Sequence, residues 1–329
     1  QHFLSSGNCS QLTITLQLNL MSLDKPMSLS TFELFKNLKT TDRDCLELSD
    51  EQLKQLQDCL YSMLLDIDMV CNDHNLTYLL SGGTALGALR HSGFIPWDDD
   101  LDINMPRGDF LRLSEILNKN FNKKYIVEIP GVTPGFYLTS GRIRLKNTIY
   151  QTRGDDAGEQ GIFVDIFIVE DIPDSRMIRY LHGFLCLTFG FLLSCRLFYF
   201  YRKSYKKLLS FSRKARTIFR LKTTIGGLLG LVPVSSLTSL TNKIYSACNN
   251  HGSKFVSIPS GRKHYFGELY RREGFLRKKF LLFESKEFPV SFELEDYLTK
   301  LYGPEYMTPP PEDKRERHII YKIKLPERK

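Results

Sequence analysis

Residues 94–104 read Phe94-Ile-Pro-Trp-Asp-Asp-Asp-Leu-Asp-Ile-Asn104, which puts four carboxylates, Asp98, Asp99, Asp100 and Asp102, within five positions. Like charges at that density repel one another and destabilise a fold unless a cation neutralises them. Within the run, Asp100-Leu-Asp-Ile103 alternates acid with aliphatic, the period of a half-buried strand. On such a strand Asp100 and Asp102 share one face, and the aliphatic side chains point into the core. Two carboxylates side by side on a rigid strand suit Mg²⁺, which takes a few carboxylate oxygens and leaves room for substrate phosphates. The chemistry this predicts is transfer of a phosphoryl-type group.

Three blander or different readings compete. A solvated acidic turn does not call for the apolar frame of Ile95, Pro96, Trp97, Leu101 and Ile103. A calcium loop of the EF-hand kind needs Gly at its sixth position and Glu at its twelfth. Counted from Asp98, those positions hold Ile103 and Asp109. The aspartate-rich motif of prenyl-diphosphate enzymes sits on a helix, where residues four apart share a face. Here Pro96 precedes the acids and Pro106 and Gly108 follow, so the segment makes a poor helix and a good strand.

Upstream, Leu76-Thr-Tyr-Leu-Leu80 reads as a short strand, Ser81-Gly82-Gly83-Thr84 as a turn, and Ala85-Leu-Gly-Ala-Leu-Arg90 as the start of a helix. Free N–H groups at a helix N-terminus attract anions, so this arrangement can cradle phosphate. The spacing is neither the dinucleotide fingerprint nor a Walker loop. Followed by paired acids on the next strand, the glycine turn gains weight it lacks alone.

Further elements follow from periodicity. Residues 46–74 predict an amphipathic helix with Asp50 as cap and Leu53, Leu56, Leu60, Leu64 and Ile67 on one face. A second helix is expected over 107–118, and strands over 121–129, 136–145 and 162–169. In the last of these, Asp165 stands alone among Phe163, Val164, Ile166 and Phe167. A lone buried carboxylate is expensive without a metal or a cation nearby, which favours a functional role. Asp155 and Asp156, in the glycine-rich loop 154–161, read as solvated acids.

Taken together, these stretches resemble the LicD phosphocholine-transferase family, related to fukutin and fukutin-related protein. The resemblance rests on Gly82-Gly83-Thr84, on Gly87-Ala88-Leu89-Arg90-His91, and on Gly93-Phe94-Ile95-Pro96-Trp97-Asp98-Asp99-Asp100. Arg142-Ile-Arg-Leu-Lys-Asn-Thr148 and Gly161-Ile-Phe-Val-Asp-Ile-Phe167 add a basic strand and the strand of a third acid. Tyr302-Gly303, Tyr306-Met307, Pro309-Pro310-Pro311 and His318 continue the likeness. The resemblance covers 50–172 and 262–318.

The resemblance implies an α+β fold: a nucleotidyltransferase-type mixed β-sheet flanked by helices, of polymerase-beta-like kind, carrying a basic helical insertion. It implies residues 1–45 as an N-terminal extension and 46–174 as the catalytic core. Residues 175–260 are then a basic, aromatic helical segment, and 261–329 complete the catalytic domain. The implied reaction is Mg²⁺-dependent transfer of phosphocholine from CDP-choline, or a related CDP-alcohol, to a hydroxyl of a lipid-linked cell-surface glycan, releasing CMP. Asp100, Asp102 and Asp165 are the implied catalytic and metal-binding acids, with Asp165 as ligand, general base or both. Gly82, Gly83 and Thr84 are expected at the donor phosphates through backbone N–H. Arg90, Arg142, Arg144 and Lys146 are candidate phosphate clamps. Asp98 and Asp99 are expected to support the acids, Trp97 to pack rather than to bind choline, and His91 and His318 carry no assigned role. Ribitol-phosphate or glycerol-phosphate transfer, or a non-catalytic membrane-associated scaffold, are the alternatives.

Composition bounds these expectations. The chain has 329 residues, 42% apolar and 25% charged, an ordinary globular balance. Its 7 Cys are odd in number and irregular in spacing, which argues against a disulfide framework or a structural zinc and fits a reducing cytoplasm. The first 23 residues are broken by polar side chains and lack a basic start, so they do not read as a signal peptide. From Ser175 to Gly267 there are 16 Lys and Arg and no Asp or Glu, against a net charge of +8 for the whole chain, so the remainder is net acidic.

Within that basic stretch, 178–201 is apolar, but His182 and Arg196 bracket only about thirteen residues, fewer than the ~20 a bilayer span needs. A buried or interfacial helix is the expectation. Residues 196–222 mix aromatics with basic residues. Two readings stand: docking on an anionic membrane at the inner face of the cell membrane, or a solvated face over a helical core. No nucleic-acid module accompanies the charge, so no specific nucleic-acid partner is expected.

Overall fold

The computed structural model describes residues 46–152, 161–208, 213–248, 251–312, 315, 317–318 and 320–326. The expectations for 1–45 and for Asp155 and Asp156 lie outside the described residues.

Helix α1 (Asp50–Asp73) opens on a capping box: the Gln52 amide donates to Ser49 Oγ at 3.2 Å and the Ser49 amide to Gln52 Oε1 at 3.0 Å. The cap is therefore Ser49 rather than Asp50, because only Ser49 has the extended backbone that aims a side chain at the third amide of the helix. The expected leucine face is the buried one.

Strand β1 (Leu79–Leu80) leads into helix α2 (Gly82–His91), which begins on the glycines themselves. Strand β2 (Asp102–Pro106) starts at Asp102, so Asp100 lies in the lead-in rather than on the strand. Helix α3 (Arg107–Asn120) follows, then β3 (Tyr125–Glu128), β4 (Gly141–Leu145), β5 (Ile149–Thr152) and β6 (Phe163–Ile172). The expected strand over 121–129 is shorter because Phe121 closes α3 and the turn after it runs to Lys124.

The sheet runs β1-β2-β6-β4-β3, with β2 and β6 parallel and the other pairs antiparallel. The C-terminal end of β6 continues the sheet through β7 (Phe255–Ser257) and β8 (Leu269–Arg271). The fold is α+β with a mixed sheet, as expected. Its core is the buried face of α1, the sheet and α3, with Leu56, Leu60, Ile67, Ile103, Phe110, Ile143 and Ile166 at or near zero exposure.

Helices α4 (Arg176–Phe200), α5 (Arg202–Leu208), α6 (Arg213–Leu228) and α7 (Val234–Tyr245) are inserted between β6 and β7. The bracketing argument for 178–201 does not hold. Helix α4 is 25 residues long and contains an 18-residue window of mean hydropathy 1.7, enough by length and composition alone to cross a membrane. His182 and Arg196 fail to interrupt it because both are buried against the protein's own polar groups. His182 reaches the Ile244 carbonyl and the Tyr265 hydroxyl, at 2.8 and 3.1 Å, while Arg196 donates to the Val232 and Gly230 carbonyls.

After α8 (His264–Gly267) and α9 (Arg272–Leu276), a hairpin of β9 (Lys278–Phe283) and β10 (Lys286–Ser291) leads to α10 (Leu294–Tyr302). Strand β11 (Ile320–Lys324) then pairs antiparallel with β5, a two-stranded sheet the periodicity did not disclose.

Candidate active site

Register builds the site. Asp102 on β2 lies opposite Asp165 on β6, Asp165 opposite Arg142 on β4, and Arg142 opposite Glu128 on β3. Paired positions share a face of the sheet, so four charged side chains form one row. Arg142 forks onto Asp165, Nε to Oδ1 at 2.6 Å and Nη2 to Oδ2 at 3.0 Å, and lies 3.6 Å from the Phe163 ring centroid. Two residues along β4, Arg144 donates to Glu128 at 2.8 Å and to the Gly161 carbonyl at 3.1 Å.

The glycine turn faces the same acids. Gly82 sits at φ +51°, and a Cβ there would stand 3.1 Å from Asp102 Oδ2. One at Gly83 would stand 2.8 Å from Asp98 Oδ2. Only glycine lets the turn approach both carboxylates this closely and adopt the left-handed backbone. Thr84 fixes the geometry by accepting the Asp102 amide on Oγ1 at 2.9 Å. Tyr297, buried on α10, accepts the Gly82 amide at 3.0 Å and meets Ser81 Oγ at 2.8 Å.

The electrostatics divide the four neighbouring acids. Burial, reinforced by Asp100, Asp99 and Asp102, pushes the Asp98 carboxyl well above the usual carboxylate range. Burial, then Asp100 and Asp165, does the same to Asp102. Asp100 is pushed up to about 6 by burial together with Asp99 and Asp165, against the pull of His318. For Asp99, burial works the same way but is outweighed by His318, so its carboxyl is lowered. His318 donates its backbone amide to Asp99 at 3.0 Å and places Nδ1 3.0 Å from Asp99 Oδ1. Burial disfavours the imidazolium, yet Asp99, Asp100 and Asp165 carry its pKa up to about 10.

This donor set fits a divalent cation. Asp98, Asp100 and Asp102 are raised by burial and by the carboxylates around them, and a hard cation with oxygen ligands would relieve that cost. Ligand-type atoms of Asp99, Asp100 and His318 also lie within 4.8 Å of one another. There Asp99 and His318 satisfy each other, so that trio reads better as an ion pair supporting Asp100 than as a cage.

The chain's residues 75–182 match the family described as "LicD/FKTN/FKRP, nucleotidyltransferase domain". Over 262 residues, 76% of this chain and 89% of the relative, it is 25% identical to the lipopolysaccharide cholinephosphotransferase LicD of Haemophilus influenzae. Residues 75–182 are thus LicD-like. Two uncharacterized rickettsial proteins share a shorter stretch of 76 residues. That of Rickettsia prowazekii is 41% identical over 21% of this chain and 29% of its own. That of Rickettsia typhi is 38% identical over 21% and 25%.

The LicD-matched stretch holds the glycine turn, all five acids, Arg142 and Arg144, whereas Tyr297, Tyr302 and His318 reach the site from beyond it. Gly82, Gly83 and Thr84 are brought to Asp98 and Asp102, and Arg142 to Asp165, as described above. Arg90 is spent elsewhere: it donates to the Tyr306 carbonyl at 2.9 Å and to His91 at 3.0 Å. Arg144 is 2% exposed and occupied by Glu128, so it braces β4 rather than facing an open cleft. Lys146 is half-buried just beyond β4. Trp97 packs beneath Arg315, 4.2 Å from its ring centroid.

Sequence reasoning gave no role to three residues that matter here. His318 locks Asp99. Tyr302 points its hydroxyl toward Gly82, where an added Cβ would sit 3.6 Å from it, and Arg262 lies 5.1 Å over the Tyr302 ring. The Tyr-Gly signature at 302–303 carried the signal, but only the fold shows what the tyrosine faces.

Proposed function

We propose that this chain transfers phosphocholine from CDP-choline to a hydroxyl of a lipid-linked cell-surface glycan of lipopolysaccharide or teichoic acid type, with release of CMP. The observation that carries the reading is the in-register row Asp102–Asp165–Arg142 facing the Gly82–Gly83 turn, in a chain similar along three quarters of its length to a lipopolysaccharide cholinephosphotransferase.

In this reading Asp100 and Asp102 hold Mg²⁺, with Asp165 as the third acid. The cation, when bound, neutralises charge on the donor's phosphate oxygens. The amides of Gly83 and Thr84, at the N-terminus of α2, bind the same phosphates, a placement the helix end favours. The Gly82 amide supports them indirectly through Tyr297. Arg142 holds Asp165 by both oxygens and so orients it toward the acceptor. Asp165 takes the proton of the attacking hydroxyl. Lys146 is the half-exposed cation left to meet the donor. The enzyme works at the inner face of the cell membrane, where its lipid-linked acceptor is assembled.

CMP release from CDP-choline and from CDP-ribitol, each with Mg²⁺ and a glycan acceptor, tests this. Release from CDP-choline alone that Asp102→Asn abolishes is the expected result. Release from CDP-ribitol alone would keep the mechanism and overturn the donor. Absence of release and of donor binding would overturn the transferase reading.

A further inference from the structure

The first three turns of α4 leave an apolar face uncovered. Met177 is 81% exposed, Leu181 61% and Phe184 64%, with Ile178, Tyr180 and Leu185 also exposed. Positions 177, 181 and 184 follow the helical spacing of a single stripe. Phe266 on α8 extends it, its ring centroid 5.6 Å from that of Tyr180. The opposite face of α4 is committed to the protein. His182 and Cys186 are buried there, and a Cβ on Gly183 would come within 2.4 Å of Phe266 Cζ. A helix held along one side by its own domain is placed to lie on a bilayer, not to cross it.

Charge decides what covers this face. Arg176 and Arg179 sit at its start and Lys263 beside α8, and the sequence from Ser175 to Gly267 contains no acid. Asp174, the nearest, accepts the Lys254 amide at 2.7 Å. A second copy of the chain in a self-complementary interface would set basic rim against basic rim. An anionic lipid surface meets both demands: acyl chains for the stripe and negative headgroups for the rim. We propose that the stripe Met177–Leu181–Phe184 with Phe266 docks the protein peripherally on an anionic bilayer. The proposal deepens the reading above by naming how a lipid-linked acceptor is met. It also narrows the docking surface from the whole basic, aromatic segment 176–222 to the N-terminal half of α4.

Co-sedimentation of the full chain with vesicles tests it without any reaction, so a failed transferase assay leaves this arm intact. The chain should bind phosphatidylglycerol-containing vesicles and bind pure phosphatidylcholine vesicles far less. The double variant Leu181→Ser/Phe184→Ser should weaken binding by at least about tenfold, from the apolar area it removes from burial. Arg176→Glu, which touches no buried residue, should weaken binding only to the anionic vesicles. Unchanged binding by the double variant would overturn the proposal, as would resistance of the wild type to alkaline carbonate extraction, the sign of a spanning helix. A dimer that the double variant makes monomeric, with no vesicle binding by the wild type, would assign the face to a second copy instead.

Discussion

The sheet and the inserted helices handle charge in opposite ways. Across β2, β6, β4 and β3, the charged side chains Asp102, Asp165, Arg142 and Glu128 are placed by register opposite one another, and the surplus of acids around them is local. In α4 to α7 the charge is positive, the sequence of the insertion supplies no acid of its own, and apolar side chains at the start of α4 face outward. The first pattern suits a cation and the second suits anions. One chain thus separates its electrostatic work into a buried focus and an exposed field.

The comparison is most severely tested at the focus. Asp102→Asn should lower transfer by about 10³-fold, the scale seen when a group that stabilises charge in the transition state is removed. The same substitution should leave the melting temperature unchanged or higher, since it relieves the burial cost, and then the repulsion from Asp100 and Asp165, that raise the carboxyl. A parallel fall in stability and activity would show the acid to be structural. Next in size, Arg144→Met should destabilise by about 3 kcal/mol, because it takes a buried guanidinium away from the partly buried Glu128 carboxylate. Urea denaturation measures it, and a change under 1 kcal/mol, the level of an exposed pair, would contradict the bracing role.

In the helices, the sharpest contrast is Lys222, 2% exposed, its Nζ donating to Ser194 at 2.9 Å and 4.7 Å from the Phe198 ring centroid. Burial lowers its pKa from 10.5 to about 8. The unfolded chain therefore binds the proton more tightly. Stability should be lowest, and flat on this account, below pH about 8, and should rise between about 8 and 10.5 as the folded lysine is already neutral. Lys222→Met should remove that rise and stabilise at neutral pH by ~2 kcal/mol, the shift less a lost hydrogen bond. Thermal melts across that range decide the matter. Smallest, Gly82→Ala should cost about 1–2 kcal/mol for the left-handed backbone. Gly108→Ala, where a Cβ meets nothing within 4 Å, should be neutral or stabilising. Equal effects at the two glycines would remove the close approach to Asp102 from the account.

The acids, the glycine turn and most of the sheet were legible because they are local: alternation, turn residues and dense charge lie within a few positions of one another. Asp100 was placed one step too far, on the strand instead of before it, since alternation begins earlier than backbone pairing does. The pair of β5 with β11 escaped because neither segment has a strong period and the contact joins distant parts of the chain. His318 was visible as a motif position, but its partnership with Asp99 is a tertiary fact. Arg144 looked equivalent to Arg142 by type and spacing, and only Glu128, supplied by β3, separates them. The extent of α4 is close to the expected 178–201, but His182 and Arg196 read in sequence as interruptions of its apolar run, while in the fold each finds a carbonyl to bond.

The lock between His318 and Asp99 joins residues 219 positions apart. A ribosome adding about 5–20 residues per second delivers the imidazole tens of seconds after the acids it steadies. For that interval the nascent chain carries its densest negative charge without the His318 imidazole that the fold will aim at Asp99. The site is thus assembled by the chain's late arrivals, and a truncated product ending before His318 would carry every acid of the row and still lack the setting that holds them in place.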